Sequence, residues 1–400
     1  MKNKYFKVIY IERNFIDKRY PNSVEDGDRF FTYGHGALCA RKFKKYNSGF
    51  EVECWKTDPR IDKIYEKTIE NVKFIVFPSK SFGKLGQYSR ALNKYLKNYL
   101  KTNPKTIFNI ASIRHLLFYF VAFLLKKFPL VVQHHGEATA IYKFKINKGL
   151  KKLWYALQIP FEWYAFKSVD LFFVLDKNII EYLPKPNKKI KIELSTLGVD
   201  EDLFRPLDKI EAKKILGWDI NKKHILYVGR LNYTKRPDIL IDIYEEFKKE
   251  GKNDIELVLA GNEIDDPLYE RAVKSGAIIY GKILQTELYK YLSAADVYVL
   301  PKYKSDMIFL GIGLLPVQAM LCNTPVVGES LRNYAGKNVN EVGIFADDYA
   351  SIKNAIQKIL NQEIKFKNLR ETALSIYSWE RISLNTKNFY DELIKKYVKK

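Results

Sequence analysis

Apolar residues in this chain gather in short runs rich in valine, isoleucine and phenylalanine, and longer segments of helical period separate them. The first six runs are FKVIYIE (6–12), FEVECW (50–55), VKFIVFP (72–78), TIFNIA (106–111), PLVVQHH (129–135) and LFFVLD (171–176). They are nearly continuous rather than alternating, which is the pattern of strands buried on both faces of a parallel sheet. The spacers 86–101, 113–127 and 148–168 are long enough for crossover helices. A segment with prolines and charge, PKPNKKIKIELSTLGVDEDLFRPLD (184–208), reads as a break. Beyond it a second series runs HILYVGR, DIELVLAG, AIIYGKI, DVYVLP, TPVVGE and VGIFADD, with helices expected at about 236–250, 266–276, 286–295, 314–322 and 349–361. The pattern predicts an α/β chain of two doubly wound Rossmann-like domains, 1–195 and 196–378, facing across a cleft at the carboxyl ends of their strands.

Length and composition agree with two domains. Four hundred residues exceed the usual single domain, and 47% hydrophobic with 28% charged residues excludes a disordered chain. The formal charge of +22 suits an anionic partner: a nucleotide diphosphate, an acidic lipid surface or a nucleic acid. A solvated lysine-rich surface accounts for the charge equally well. No RNP, helix-turn-helix or zinc-ligand signature accompanies it, so nucleic acid is not an expected partner. Cys39, Cys54 and Cys322 lie far apart without ligand spacing, which argues against a disulfide framework or a zinc site and fits a reducing, cytoplasmic setting. KVIYIE is met at once by charges and is not a signal peptide. The longest apolar stretch, LLFYFVAFLL (116–125), is about half of the roughly twenty residues needed to span a bilayer, and is read as a buried or interfacial helix.

Candidate chemistry concentrates in the second series. Arg230 and Lys235 occupy the turn after its first strand, where a guanidinium fork and an ammonium can converge on phosphate oxygens. Gly311 and Gly313 precede a helix starting near Leu314, whose free amides and dipole suit phosphate. The strings Asp26-Gly-Asp28 and Asp200-Glu-Asp202 read as solvated loop carboxylates, so no metal is expected.

The pieces LGVDEDLFRP (197–206), VGRLNYTKRPDILI (228–241), LVLAGN (257–262), YGKILQTELYKYLSAADVYVLP (280–301) and PVQAMLCNTPVVG (316–328) resemble the nucleotide-sugar-binding domain of the retaining GT-B glycosyltransferases called glycosyl transferases group one, or family 4. The tail SWERISLNTKNFYDELI (378–394) resembles that family's ending, in which the last helix, here within 379–400, crosses back to the first domain. The resemblance implies transfer of a sugar from a nucleotide-diphosphate sugar to a glycan or lipid-linked acceptor, with retention and with no metal or cofactor beyond the donor substrate.

It also implies residue roles. Arg230 and Lys235 match the family's R-x-x-x-x-K diphosphate pair. His135, before Gly136, matches a histidine facing the transferring sugar; a buried structural histidine is the rival reading, a part that His134 takes if strand alternation points it to the opposite face. Gly34 and Gly36 flank His35 in a segment similar to the glycine-rich loop between donor phosphate and acceptor. The family's two glutamates, eight positions apart, fall on Leu310 and Gln318. Gln318 retains hydrogen-bonding capacity for a ribose, whereas Leu310 has none for a sugar hydroxyl. Asp306 is the candidate replacement carboxylate, with a different mode of recognising the donor sugar as a competing explanation. The altered pair also supports an alternative, a noncatalytic GT-B-like protein that binds a nucleotide or glycan.

The first domain carries YKFKINKGLKKLWYALQIPFEWYAFK (142–167), where lysines interleave with aromatic residues. Two readings stand open. One is an anionic membrane surface, placing the protein peripherally at the inner face of the cell membrane. The other is an amphipathic crossover helix whose aromatics fill the core.

Overall fold

The computed structural model describes residues 6–14, 27–113, 115–184, 190–195, 197–301 and 311–398. They form two compact units, Met1–Ser195 with Ile382–Lys400, and Thr196–Arg381.

In the first unit the apolar runs form β1 (Lys7–Arg13), β2 (Glu51–Asp58), β3 (Tyr65–Ile69), β4 (Val72–Pro78), the short ribbon β5 (Lys80–Ser81) and β6 (Gln87–Tyr88), then β7 (Thr106–Ile110), β8 (Leu130–Gln133), β9 (Leu171–Val174) and β10 (Lys191–Leu194). The main sheet has the order β10-β9-β8-β7-β1-β2-β4-β3 and is parallel except for β3, which returns antiparallel to β4. All six expected strands are present. The two additions, β3 and β10, sit at the sheet edges, and β10 lies inside the segment read as a break. Their sequences, YEKTI and KIEL, carry the charges that edge strands use to stay soluble, which removes the apolar signal.

The core of this unit centres on Trp55, fully buried, with Tyr95 and Tyr99 edge-on at 5.2 and 5.1 Å. The crossover helix Arg90–Thr102 begins where Ser89 Oγ accepts a hydrogen bond from the Leu92 amide at 3.0 Å. The final helix, Trp379–Val398, is fastened to this unit by buried Tyr390, whose hydroxyl accepts a 2.7 Å hydrogen bond from Asn109 Nδ2. Tyr397 donates to Asp170 Oδ2 at 2.9 Å nearer its end.

The second unit contains β11 (Lys223–Val228), β12 (Ile255–Ala260), β13 (Ile278–Tyr280), β14 (Val297–Leu300), β15 (Val326–Gly328) and β16 (Gly343–Ile344), all parallel, in the order β13-β12-β11-β14-β15-β16. These are the six strands expected of the second series. Its helices include Pro237–Lys249, which has proline in the first turn where a missing N–H costs nothing, and Tyr349–Leu360, which opens on a capping box of Asp348 and Ser351. β15 approaches β14 so closely that a Cβ on Gly328 would stand 1.9 Å from the Leu300 carbonyl oxygen, so only glycine fits there.

The order in which successive strands are added reverses at one place in each sheet. The helix after β11 leads outward to β12 while the helix after β14 leads the other way to β15; in the first unit β1 and β7 are related in the same manner. Loops leaving adjacent strands in opposite directions open a crevice beyond their carboxyl ends, which is where doubly wound sheets bind ligands.

Candidate functional site

In the second unit, the β11 turn is rigidly built. Tyr227 donates from its hydroxyl to the Arg230 carbonyl at 3.0 Å, and the Gly229 amide donates to the Ala260 carbonyl at 2.8 Å. Buried Asp266 accepts from the Leu231 and Glu263 amides at 2.9 and 3.1 Å and from Arg230 Nε at 2.7 Å. Arg230 is therefore anchored by Nε, and this salt bridge and its neighbours raise its pKa. Its outer nitrogen lies in exposed, longer pairs with Glu263 at 3.2 Å and Asp265 at 3.6 Å. Such pairs contribute little in water and exchange readily for a more highly charged anion.

Lys235, five residues on, stands differently. Asn232 Oδ1 accepts from the Thr234 amide at 3.0 Å, Arg236 takes a left-handed conformation at φ 56° and pairs with Asp238, and Pro237 starts the helix. That turn draws the Lys235 ammonium in from solvent, and burial lowers its pKa. Among the described residues no hydrogen bond or ion pair reaches it. A partly desolvated cation with no counter-ion among the described residues is unfavourable by itself, and a nearby anion would stabilise it.

On the neighbouring loop, Gly311 and Gly313 both have positive φ (68° and 77°) and lead into the helix Leu314–Leu321. The Leu314 and Leu315 amides have no acceptor within that helix, and Pro316 fills the next position without a donor to lose. Gln318 is buried on the same helix. Asp306 and Leu310 lie outside the described residues. The structure thus puts Arg230 and Lys235 on the loop after β11, and Gly311, Gly313, Leu314 and Gln318 after β14, on either side of the reversal point.

In the first unit, β8 ends at Gln133 and the two histidines after it diverge. His134 is buried, its amide donates to the Phe173 carbonyl at 2.9 Å, and its Nε2 donates to the Glu137 carbonyl at 2.7 Å. His135 instead stacks on His35, with ring centroids 4.8 Å apart and planes 16° from parallel. Its Nε2 is shielded from solvent and makes no hydrogen bond among the described residues. Gly34, His35 and Gly36 are thereby brought beside His135.

The Gly36 and Ala37 amides, however, already hold an anion: buried Glu12 at the end of β1 accepts from them at 2.7 and 3.1 Å, and Lys56, wholly buried, stands 3.5 Å from it. A Cβ on Gly34 would meet Glu12 Oε1 at 2.5 Å. The glycines thus make room for this internal carboxylate, and the two amides are not open to a phosphate. Asp28, read as a solvated loop carboxylate, opens the short helix Asp28–Thr32 and pairs with Lys67 at 2.6 Å.

One group escaped the sequence reading. The Glu137 carboxyl is buried beside this cluster, accepts from Ser112 Oγ at 2.8 Å, and burial pushes its pKa up. The signal was present, since a glutamate two residues beyond a histidine at a strand end is well placed for chemistry, but its burial and its bond to Ser112, just after the neighbouring β7, come only from the fold.

Burial also holds both imidazoles neutral, His134 pushed down to about 4 and His135 to about 3. An unfolded histidine takes its proton near 6.5. Between those values the unfolded chain binds more protons, so stability falls as pH drops from about 6.5 towards 4. Glu137 works in the opposite sense. We expect urea unfolding to lose on the order of 1 kcal/mol per pH unit for each histidine across this window. His134→Asn is expected to flatten the curve there.

Residues 208–375 match the family profile of Glycosyl transferases group 1. An uncharacterised glycosyltransferase of Methanocaldococcus jannaschii is 27% identical over 195 residues, which is 46% of this chain and 48% of that protein. A D-inositol 3-phosphate glycosyltransferase of Segniliparus rotundus is 28% identical over 170 residues, 40% of this chain and 36% of its own length. The chain thus spans about half the length, or less, of these curated relatives.

Similarity of fold extends further. A sucrose-phosphate synthase from Thermosynechococcus elongatus superposes with a TM-score of 0.65 at 18% identity, covering 98% of this chain and all of the other. Anabaena HepE in complex with UDP and glucose gives 0.64 at 14% identity over 97% of this chain and all of that one. With the profile lying over β11 to β16 and the fold shared along nearly the whole length, the second unit belongs to the glycosyl transferases group 1 and the chain has the GT-B architecture.

Proposed function

We propose that this protein is a glycosyltransferase that moves a sugar from a nucleotide-diphosphate sugar to a glycan or lipid-linked acceptor, without a metal ion and with retention. The observation that carries the reading is Lys235, a desolvated ammonium with no counter-ion among the described residues, at the reversal point of the second sheet. A departing diphosphate develops negative charge, and fixed cations with oriented amides stabilise it without reorganising. Lys235, the outer nitrogen of Arg230 and the Leu314 and Leu315 amides, set by Gly311 and Gly313, take that role. Gln318 hydrogen-bonds the ribose, His135 the transferring sugar, and Asp306 supplies the carboxylate that Leu310 lacks.

Gln318 and Leu310 in place of two carboxylates favour a second reading, a noncatalytic protein that binds a nucleotide or glycan. Turnover separates the two. Anabaena HepE has been solved in complex with UDP-glucose, and the trehalose-6-phosphate protein from E. coli bound with UDP-2-fluoro glucose, so UDP-glucose is the first donor to try. Incubation of the full chain with a panel of nucleotide sugars and chelator is expected to release nucleoside diphosphate slowly even without acceptor. Binding of donor with no release from any member of the panel, with or without candidate acceptors, would leave the noncatalytic reading standing.

A further inference from the structure

The helix Gly149–Phe166 is held by one end. Phe166 packs on Phe118 and Phe172 at 5.7 and 5.5 Å, and Glu162 Oε2 accepts from the Ala140 amide at 2.8 Å. Of its eighteen residues only Glu162, Ala165 and Phe166 are buried. Along the rest, Leu150, Leu153, Trp154, Leu157 and Phe161 recur at helical spacing on one stripe, and that stripe faces solvent: Leu150 is 85% exposed, Leu157 67% and Phe161 65%. The aromatics of this segment therefore do not simply fill the core.

The stripe continues into a groove. Phe120 and Phe123 of the helix Leu116–Leu124 are exposed opposite it, and between the two helices lies a cavity of about 820 Å³ lined mostly by apolar and aromatic side chains, among them Leu85, Tyr119, Leu124 and Trp154, with Asn93, Lys97 and Gln158 as its polar members. That volume lies within the range of about 300–1,000 Å³ typical of small-molecule sites. Contiguous exposed apolar surface on this scale marks an interaction site.

Charge identifies the partner. Residues 79–169 contain sixteen lysines and arginines against two carboxylates, Glu137 and Glu162, and both of these face the interior. Three of the lysines border the apolar face. Lys97 is at the cavity, the Lys126 ammonium lies 4.3 Å from the ring centroids of both Phe123 and Tyr164, and Lys167 lies 3.7 Å from that of Trp163. Stems that run along aromatic rings and end in ammonium groups match the boundary between acyl chains and anionic headgroups. No helix of the described residues is long and apolar enough to cross a membrane, so contact of this kind is with one leaflet.

We propose that this face docks on an anionic bilayer, with the leucine stripe in the headgroup–acyl boundary and the groove taking up a lipid hydrocarbon chain. This proposal is independent of donor binding in the second unit. The test uses the full chain and phosphatidylcholine vesicles with and without phosphatidylglycerol, at low ionic strength. Binding is expected to be at least about tenfold stronger to the anionic vesicles. The double variant Leu157→Glu with Phe161→Glu is expected to lose about tenfold or more of it. Both positions are exposed, so its melting temperature and nucleotide affinity are expected to stay as in wild type, which separates this outcome from a failure of the donor reading. Vesicle binding is further expected to shift the fluorescence of the wild type to the blue, and Trp154→Phe to diminish the shift. Equal binding to neutral vesicles, or undiminished binding by the double variant, would overturn the proposal. So would a wild-type dimer that the same variant dissociates without any vesicle binding, because the face would then be a contact between copies of this chain.

Discussion

Replacing Lys235 by methionine is expected to weaken binding of a nucleoside diphosphate by about 10- to 100-fold, the worth of a charge-assisted hydrogen bond to an ammonium. Two features make this more than a surface-charge effect. Burial already lowers the pKa of this ammonium, so in the free protein it contributes strain, and an anion that relieves the strain gains from it. Methionine keeps the stem and removes the desolvated charge, so the variant is expected to be as stable as wild type or slightly more so. A lysine with a purely structural role would give the reverse, lost stability with unchanged affinity. Calorimetric titration together with a thermal melt distinguishes the two.

His135→Ala is expected to lower the rate of transfer by about 10²–10³-fold while nucleotide affinity changes little, as for removal of a group that bonds the reacting centre more strongly in the transition state. The ring is held for such a task. It is stacked on His35, kept neutral by burial, and its Nε2 is shielded with no partner among the described residues. Steady-state rates at saturating donor read the effect directly. An equal loss in kcat/KM and in nucleotide affinity, with kcat unchanged, would make the residue a binding group instead.

How much of this was legible in the chain follows from which interactions are local. Strands buried on both faces read as unbroken apolar runs, so β1, β2, β4, β7 to β9, β11, β12, β14 and β15 stand out in sequence, and the short edge strands β13 and β16 of the second unit do so because they are uncharged. β3 and β10 do not, because these edge strands carry charge. The loop positions of Arg230, Lys235 and His135 were likewise readable from the strands that precede them. Their environments were not. Arg230 is anchored by Asp266, thirty-six residues away, and the burial of Lys235, with no counter-ion among the described residues, is a property of everything folded around it. Gly34 and Gly36 looked like a phosphate loop, yet Glu12 of the preceding strand occupies the amides. In the same way, the stripe from Leu150 to Phe161 was visible as helical spacing, but spacing alone does not say whether an apolar face turns to the core or to solvent.

The central claim is that protein charge and oriented amides neutralise the diphosphate with no metal ion between them. The measurement that addresses it most directly is the affinity of the unmodified full chain for a nucleoside diphosphate and for the same nucleoside without phosphates, both with chelator present. Diphosphate bound about 100-fold more tightly or better is the predicted result. Equal affinities, or diphosphate binding that appears only when magnesium or manganese is restored, would contradict it.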